Sequence, residues 1–330
     1  MLGQIGRAAM KIPINAMLKR LAAYSSSERV LILQGTIASK QVRSLSKIRN
    51  LADVEFSVFS QWGEDGIIEW LIEKLTADLP ETFIEFGVEN YREANTRFLL
   101  CHRNWRGLVI DGSQSNIETI RADNISWRHD LTAKCAFITA ENIDQLIVEA
   151  GFEGEIGLLS VDIDGNDYWV WKAITAVRPH IVVVEYNANF GDLIPLTIPY
   201  DPSFVRTSAH RSNLYWGASI RALCDLAREK GYTFTGTNNA GSNAFFVRDD
   251  RAITIMPLIA DVAPWPSRAR ESRDDSGRLT LVRGESRGTV ISDCLTVDVS
   301  NGRTDRLGAF DPIYSSRWLA MLEGGAPKAD

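Results

Sequence analysis

The 330-residue chain has only four cysteines, Cys101, Cys135, Cys224 and Cys294, and no two of them form a CxxC pair. That argues against a zinc knuckle or a disulfide framework and fits a reducing cytoplasm. No apolar run approaches the roughly 20 residues needed to cross a bilayer. No GxGxxG occurs, so the glycine-rich turn that cradles a dinucleotide pyrophosphate is missing. Internal repeats and low-complexity tracts are also lacking. Charge is uneven along the chain. Residues 1–50 hold nine Lys/Arg against the single acid Glu28, a local +8, which leaves −14 for the rest of a chain at −6. An acidic body disfavours broad nucleic-acid binding.

The basic N-terminal arm (1–55) carries helical patterning, and Pro13 is expected to divide it into two or more helices. Three readings of it stay open: a solvated helical extension packed on the body, a contact with an anionic membrane surface or acidic partner, and a targeting peptide.

From residue 56 the pattern changes. A lead-in helix carries Ile67, Ile68, Leu71, Ile72 and Leu75 at helical spacing. Apolar strands are expected at Thr82–Val88, Leu108–Ile110, Ile156–Ile163 and Ile181–Tyr186, with a weaker one near Ile125–Arg128. Helices alternate with them, a rhythm that implies an α/β fold with a parallel sheet covered on both faces. After an amphipathic helix at Trp216–Lys230 come two strands with no helix between them, Tyr232–Thr237 and Asn243–Arg248, which read as a hairpin. Five βα steps closed by an antiparallel hairpin give a Rossmann-like, seven-stranded class I methyltransferase sheet, expected over residues 56–250. Residues 187–215 form a long insertion rich in proline and aromatics on the acceptor side. Residues 251–330 read as a small C-terminal appendage with weak strands at Leu279–Val282, Thr289–Ile291 and Leu295–Val299.

Polar groups gather where the expected strands end, the usual ligand crevice of open α/β sheets. Glu85 and Gly87 close the first strand and Asp111 the second. Two strand-end acids at this spacing suit a nucleoside-containing cofactor. S-adenosylmethionine has no phosphate, so one glycine suffices. Helix capping is the competing role for these acids. Asp130, read as lying just past the third strand, is placed to face an adenine, with a cap or surface turn as the alternative. The fourth strand spills into Asp162-Ile163-Asp164-Gly165-Asn166-Asp167, and the fifth ends in Glu185-Tyr186-Asn187. Hard oxygen ligands from Asp162, Asp164, Glu185 and Asn187 suit Mg²⁺ or Ca²⁺. Direct contacts from the carboxylates to cofactor and substrate, or a structural role, remain alternatives. His210, in the insertion, is the candidate general base, weighed against a plain surface histidine. Trp169, Trp171 and Trp216 fall on helical faces and are read as core.

Glu85-Phe86-Gly87-Val88, Asn95-Thr96-Arg97-Phe98-Leu99-Leu100, Gly107-Leu108-Val109-Ile110-Asp111 and Leu159-Ser160-Val161-Asp162-Ile163-Asp164-Gly165 together resemble the FkbM-like class I methyltransferases, over roughly residues 58–248. The resemblance implies S-adenosylmethionine as cofactor, with Glu85, Gly87, Asn95 and Asp111 among its contacts. Asp162, Asp164 and Glu185 also resemble the acids of metal-dependent sugar O-methyltransferases of macrolide biosynthesis, which implies Mg²⁺. The expected function is therefore O-methylation of a sugar hydroxyl on a glycan or glycosylated metabolite, in polysaccharide or related biosynthesis. Asp162, Asp164 and His210 are the expected catalytic groups. Another group transfer on a nucleotide-linked sugar, and a non-catalytic scaffold in glycan assembly, are the competing readings.

Overall fold

A computed structural model describes residues 14–75 and 78–323, with side chains from Ser27 onward. Arg7, Lys11 and Pro13 lie outside the described residues. Ten strands are labelled in chain order: β1 (Thr82–Phe86), β2 (Arg106–Asp111), β3 (Leu131–Cys135), β4 (Gly154–Val161), β5 (Val177–Glu185), β6 (Leu196–Thr197), β7 (Tyr232–Thr237), β8 (Asn243–Arg248), β9 (Leu295–Asp298) and β10 (Thr304–Arg306).

Seven of them form one sheet in the order β3-β2-β1-β4-β5-β8-β7. Pairing is parallel from β3 to β5, and β8 runs antiparallel to both β5 and β7. This is the strand order and sense of the class I methyltransferase fold, as expected.

Both faces of the sheet are buried, and the side-chain period of two divides each strand between two cores. Leu159, Val182, Val184 and Phe246 face one core, against the helices Ile143–Glu149, Asp167–Ala173 and Ile220–Lys230. Leu158, Ile181, Val183 and Phe245 face the other, against Glu64–Leu75, Arg97–Arg103 and Gln114–Ala122. Continuous apolar runs are thus required of these strands, which is why they stand out in the sequence.

The third strand is where expectation and structure part. Ile125–Arg128 is a short helix, and the strand lies at Leu131–Cys135. Asp123 explains the turn: its Oδ1 accepts from the Ile125 N–H at 3.0 Å, a side-chain bond that favours a helical start. The C-terminal segment also differs from the reading of strands alone. Thr289 and Val290 end the helix Ser286–Val290, and Leu279 makes only an isolated bridge with Arg273. Leu295–Asp298 is a strand as expected. It joins β10 and the insertion's β6 in a three-stranded antiparallel sheet, β10-β9-β6. The insertion and the C-terminal segment are therefore one structural layer over the carboxyl ends of the main strands.

Residues Ile14–Ser44 form one helix. Ser39 donates to Glu69 Oε2 at 2.5 Å, Arg43 pairs with Glu73, and Glu28 pairs with the buried Arg97 at 2.6 Å. Val30, Leu33 and Ile37, spaced along a helical face, are exposed. Among the described residues no helix is long and apolar enough to cross a membrane.

Candidate functional site

The loop leaving β1 sets the geometry. Gly87 has φ 72°, and a Cβ there would lie 1.6 Å from the Asp162 carbonyl oxygen. Only glycine allows the backbone to pass that close with that φ. Its N–H donates to Ile110 O at 3.0 Å, so the ends of β1, β2 and β4 are tied at one point.

On either side of this point lies a chamber. The smaller, about 210 Å³, is lined by Ile110, Asp111, Phe137, Ile138 and Phe204. The larger, about 590 Å³, is bordered by Glu185, Trp62, Trp216, Arg206, Arg270 and Arg287. Gly87, Glu89, Asp162 and Asp164 border both.

Asp111 faces the smaller chamber while holding its walls. It accepts from the N–H groups of Glu89 and Ser113, each at 2.8 Å, and from Asn116 Nδ2 at 3.1 Å. Glu85 is buried, and its two oxygens accept from the N–H groups of Asn95 and Thr96, at 2.8 and 3.0 Å, at the start of the helix Arg97–Arg103. Burial outweighs these bonds and pushes its carboxyl up to about 7. Glu85 thus holds the helix start, the competing role weighed from the sequence. Asn95 borders the larger chamber and donates to Ser160 Oγ at 3.1 Å.

Asp130 falls elsewhere. It precedes β3, at the opposite end of the sheet from the chambers, with a largely exposed side chain. The misplaced third strand put it on the wrong side. Its position at the true strand end is taken by Ala136, Phe137 and Ile138, of which Phe137 is exposed. An exposed aromatic just after a half-buried edge strand was the available signal.

The acids after β4 and β5 divide into two kinds. Asp167 is fully buried and accepts from the N–H groups of Ile163 and Gly165, at 2.8 and 3.0 Å. It shapes the loop and starts the helix Asp167–Ala173, with burial holding its carboxyl near 6. Asn187 is likewise committed. Its Nδ2 donates to the carbonyls of Leu214 and Trp216, both at 2.8 Å, and its Oδ1 accepts from the Asn189 N–H at 3.0 Å. It fastens the insertion, its amide N–H groups are spent there, and only one lone pair of Oδ1 stays open toward the larger chamber.

Asp162, Asp164 and Glu185 are the open kind. Their carboxylate oxygens lie within 4.8 Å of one another. Asp162 and Glu185 are held well above the usual carboxylate range, first by burial and then by repulsion within the acidic group. Glu185 Oε2 is buried with no hydrogen-bond partner. Such an orphan acceptor among carboxylates fits a divalent cation or a shared proton. Asp164 has φ 55°, a left-handed backbone that Asp tolerates, and it pairs with Arg206 of the insertion. Arg206 also donates to Asn213 O at 3.0 Å, and its guanidinium lies 4.8 Å from the Trp216 ring centre.

His210 borders neither chamber. Its Nδ1 contacts Ser212 Oγ at 2.7 Å, and it gathers instead with Asp293 and Cys294, the ligand atoms within 4.8 Å. Burial lowers its pKa. Trp62, Arg270 and Arg287 border the larger chamber without having been singled out in the sequence. The first lies just before the lead-in helix, where Glu64 Oε2 accepts from the N–H groups of Trp62 and Gly63, at 3.0 and 2.9 Å.

The strand order alone assigns the fold. No protein-family model matches the chain, and no curated protein matches it. Solved structures do match. An O-methyltransferase from Bacillus cereus, in complex with SAH, is 15% identical with TM-score 0.39, over 67% of this chain and 89% of that one. An S-adenosylmethionine-dependent methyltransferase from Clostridium acetobutylicum is 9% identical with TM-score 0.36, over 56% and 90%. An O-methyltransferase family protein from Burkholderia thailandensis is 13% identical with TM-score 0.34, over 56% and 58%.

Proposed function

We propose that the chain is an S-adenosylmethionine-dependent O-methyltransferase of the FkbM-like kind, acting on a sugar hydroxyl of a glycan or glycosylated metabolite. One observation carries the reading: two chambers meet at the Gly87–Asp162 contact, one bearing Asp111 and apolar walls, the other the open acids.

The smaller chamber suits a nucleoside. Asp111 would take ribose hydroxyls, and Ile110, Phe137 and Ile138 would cover the base. S-adenosylmethionine would supply an electrophilic methyl group on a sulfonium. The larger chamber would position the acceptor. Trp62 is half-exposed at its border, and its indole face would stack on a sugar ring. Asp162 and Glu185, with raised pKa values, would act as the base that takes the hydroxyl proton. His210 has no part in this reading, because it lines neither chamber.

Mg²⁺ fits the orphaned Glu185 oxygen and its neighbours. Asp162, Asp164 and Glu185 would hold it, and it would polarise the acceptor hydroxyl. Arg206 would then have to release Asp164, which it now neutralises. The basic arm, with Val30, Leu33 and Ile37 exposed, is read as a contact for an anionic surface or acidic partner.

Calorimetric titration tests the cofactor. The wild type is expected to bind S-adenosylhomocysteine, and Asp111→Asn to weaken it at least tenfold, about 1.4 kcal/mol. Failure of the wild type to bind, with and without Mg²⁺, would sink the proposal. On the acceptor side, Trp62→Ala is expected to raise KM by about tenfold with little change in kcat, the signature of lost uniform binding. Unchanged KM and unchanged kcat would instead remove Trp62 from the acceptor's footprint.

A further inference from the structure

Arg287, on the short helix Ser286–Val290, is buried with 6% of its surface exposed, and it borders the larger chamber. Its partners are all neutral. Nε donates to Asn189 Oδ1 at 3.2 Å, and Nη1 to the carbonyls of Glu271 and Val282, at 2.8 and 3.4 Å. Among the described residues it forms no ion pair, and two of the charges near it are taken by other partners. The Glu271 carboxylate pairs with Arg273 at 3.0 Å, and Asp164 with Arg206. Burial and the nearby Arg206 disfavour a second cation here, and the Glu271 carboxylate, already shared with Arg273, offsets them only in part. A buried guanidinium without a counter-charge is costly, because neutral acceptors replace only part of what water and an anion provide.

Arg270 stands on the same border. It is exposed and has no ion pair or hydrogen bond among the described residues. Two guanidiniums with unclaimed charge therefore face a chamber whose other side holds Asp162, Asp164 and Glu185. The sides are opposite in sign. A neutral acceptor leaves Arg287 uncompensated, and a cationic one is repelled there.

We infer that the ligand of the larger chamber carries an anionic oxyacid group, carboxylate or phosphate, bound by Arg287 and Arg270, while a hydroxyl of the same ligand faces the acids. The planar fork of arginine suits either group in two-point contact. Calling that ligand the methyl acceptor, and a sugar, rests on the function proposed above. Its class is then an acidic sugar, a uronate or a sugar phosphate.

The test uses the full chain saturated with S-adenosylhomocysteine and three probes: glucuronate, glucose 6-phosphate and neutral glucose. At least one anion is expected to bind ten times more tightly than glucose, and which one separates carboxylate from phosphate. The preference should shrink as salt rises. Arg287→Gln should reduce it at least fivefold and leave S-adenosylhomocysteine affinity unchanged. Because Arg287 also ties loops together, Arg270→Gln, at an exposed position, is the second variant, expected to reduce it about threefold. Glucose binding as well as both anions, binding by none of the three, or both variants keeping the full preference would overturn the inference. Anion binding by a chain that fails to bind S-adenosylhomocysteine would leave the anion site standing and remove the transferase.

Discussion

Replacing Gly87 with alanine is expected to abolish S-adenosylhomocysteine binding and to cost the fold about 4 kcal/mol. Two terms add. A residue with a Cβ at φ 72° costs about 1–2 kcal/mol. The new Cβ would also sit 1.6 Å from the Asp162 carbonyl oxygen. That atom belongs to the backbone at the end of β4, so no rotamer change relieves the overlap. Either β1 and β4 part at their carboxyl ends, or the loop carrying Glu89 moves and loses its bond to Asp111. Both routes open the wall shared by the chambers. Chemical denaturation reads the stability and calorimetry the binding. A variant within about 1 kcal/mol of the wild type that binds normally would show that the contact is not the hinge of the site.

Glu185→Gln should act in the opposite sense on stability. Methyl transfer is expected to fall by about 10²–10⁴, the usual worth of a positioned base. The melting temperature at pH 8 is expected to rise by about 1–3 °C, corresponding to one or two kcal/mol for a chain of this length. Asp162 and Glu185 have folded-state pKa values above their unfolded ones, through burial and mutual repulsion. The folded chain thus holds protons that the unfolded chain has released. Their stabilising contribution is complete below the unfolded values, near 4, and is lost as pH rises through the folded values. A neutral amide removes that loss. The gain over the wild type should therefore be small at pH 4 and largest at alkaline pH, and melts across that range decide it. A pH-independent difference would falsify the electrostatic explanation. Added Mg²⁺ should raise the wild-type melting temperature and leave that of Glu185→Gln nearly unchanged.

Much of the sheet was legible because both of its faces are covered. Ile181 to Val184 must be apolar at every position, so the strand cannot hide, and the hairpin Tyr232–Thr237 and Asn243–Arg248 has the bounds read from sequence. The third strand could hide. It lies at an edge and is half-buried throughout, so it tolerates Thr132, Lys134 and Cys135. The apolar look of Ile125–Arg128 drew the reading to a helical turn. At the site, residue types were legible and their commitments were not. Glu85, Asp111, Asp167 and Asn187 all bond to backbone groups, several of them on loops far away in sequence. Nothing in the spacing of Asp162, Asp164 and Asp167 tells which of the three is spent on its own loop. Arg270 and Arg287 were beyond reach, since long-range ties bring their segment over the strand ends, among them the β6–β9 pairing, the Tyr186 hydroxyl donating to Trp265 O and the Arg273 N–H donating to Ser212 O.

That pairing has an evolutionary consequence. The half of the cleft that would hold the cofactor comes mainly from strand ends between residues 87 and 166, with Phe204 of the insertion closing it. The facing half comes largely from the insertion and from a segment 75 residues further along the chain. Substitutions there can redraw the ligand's mould most freely away from Phe204 and Arg206, which touch the cofactor half. New specificities would thus be selected mainly in the stretches 187–215 and 262–290, and grafting those two stretches together, rather than either alone, is the exchange that would carry one from protein to protein.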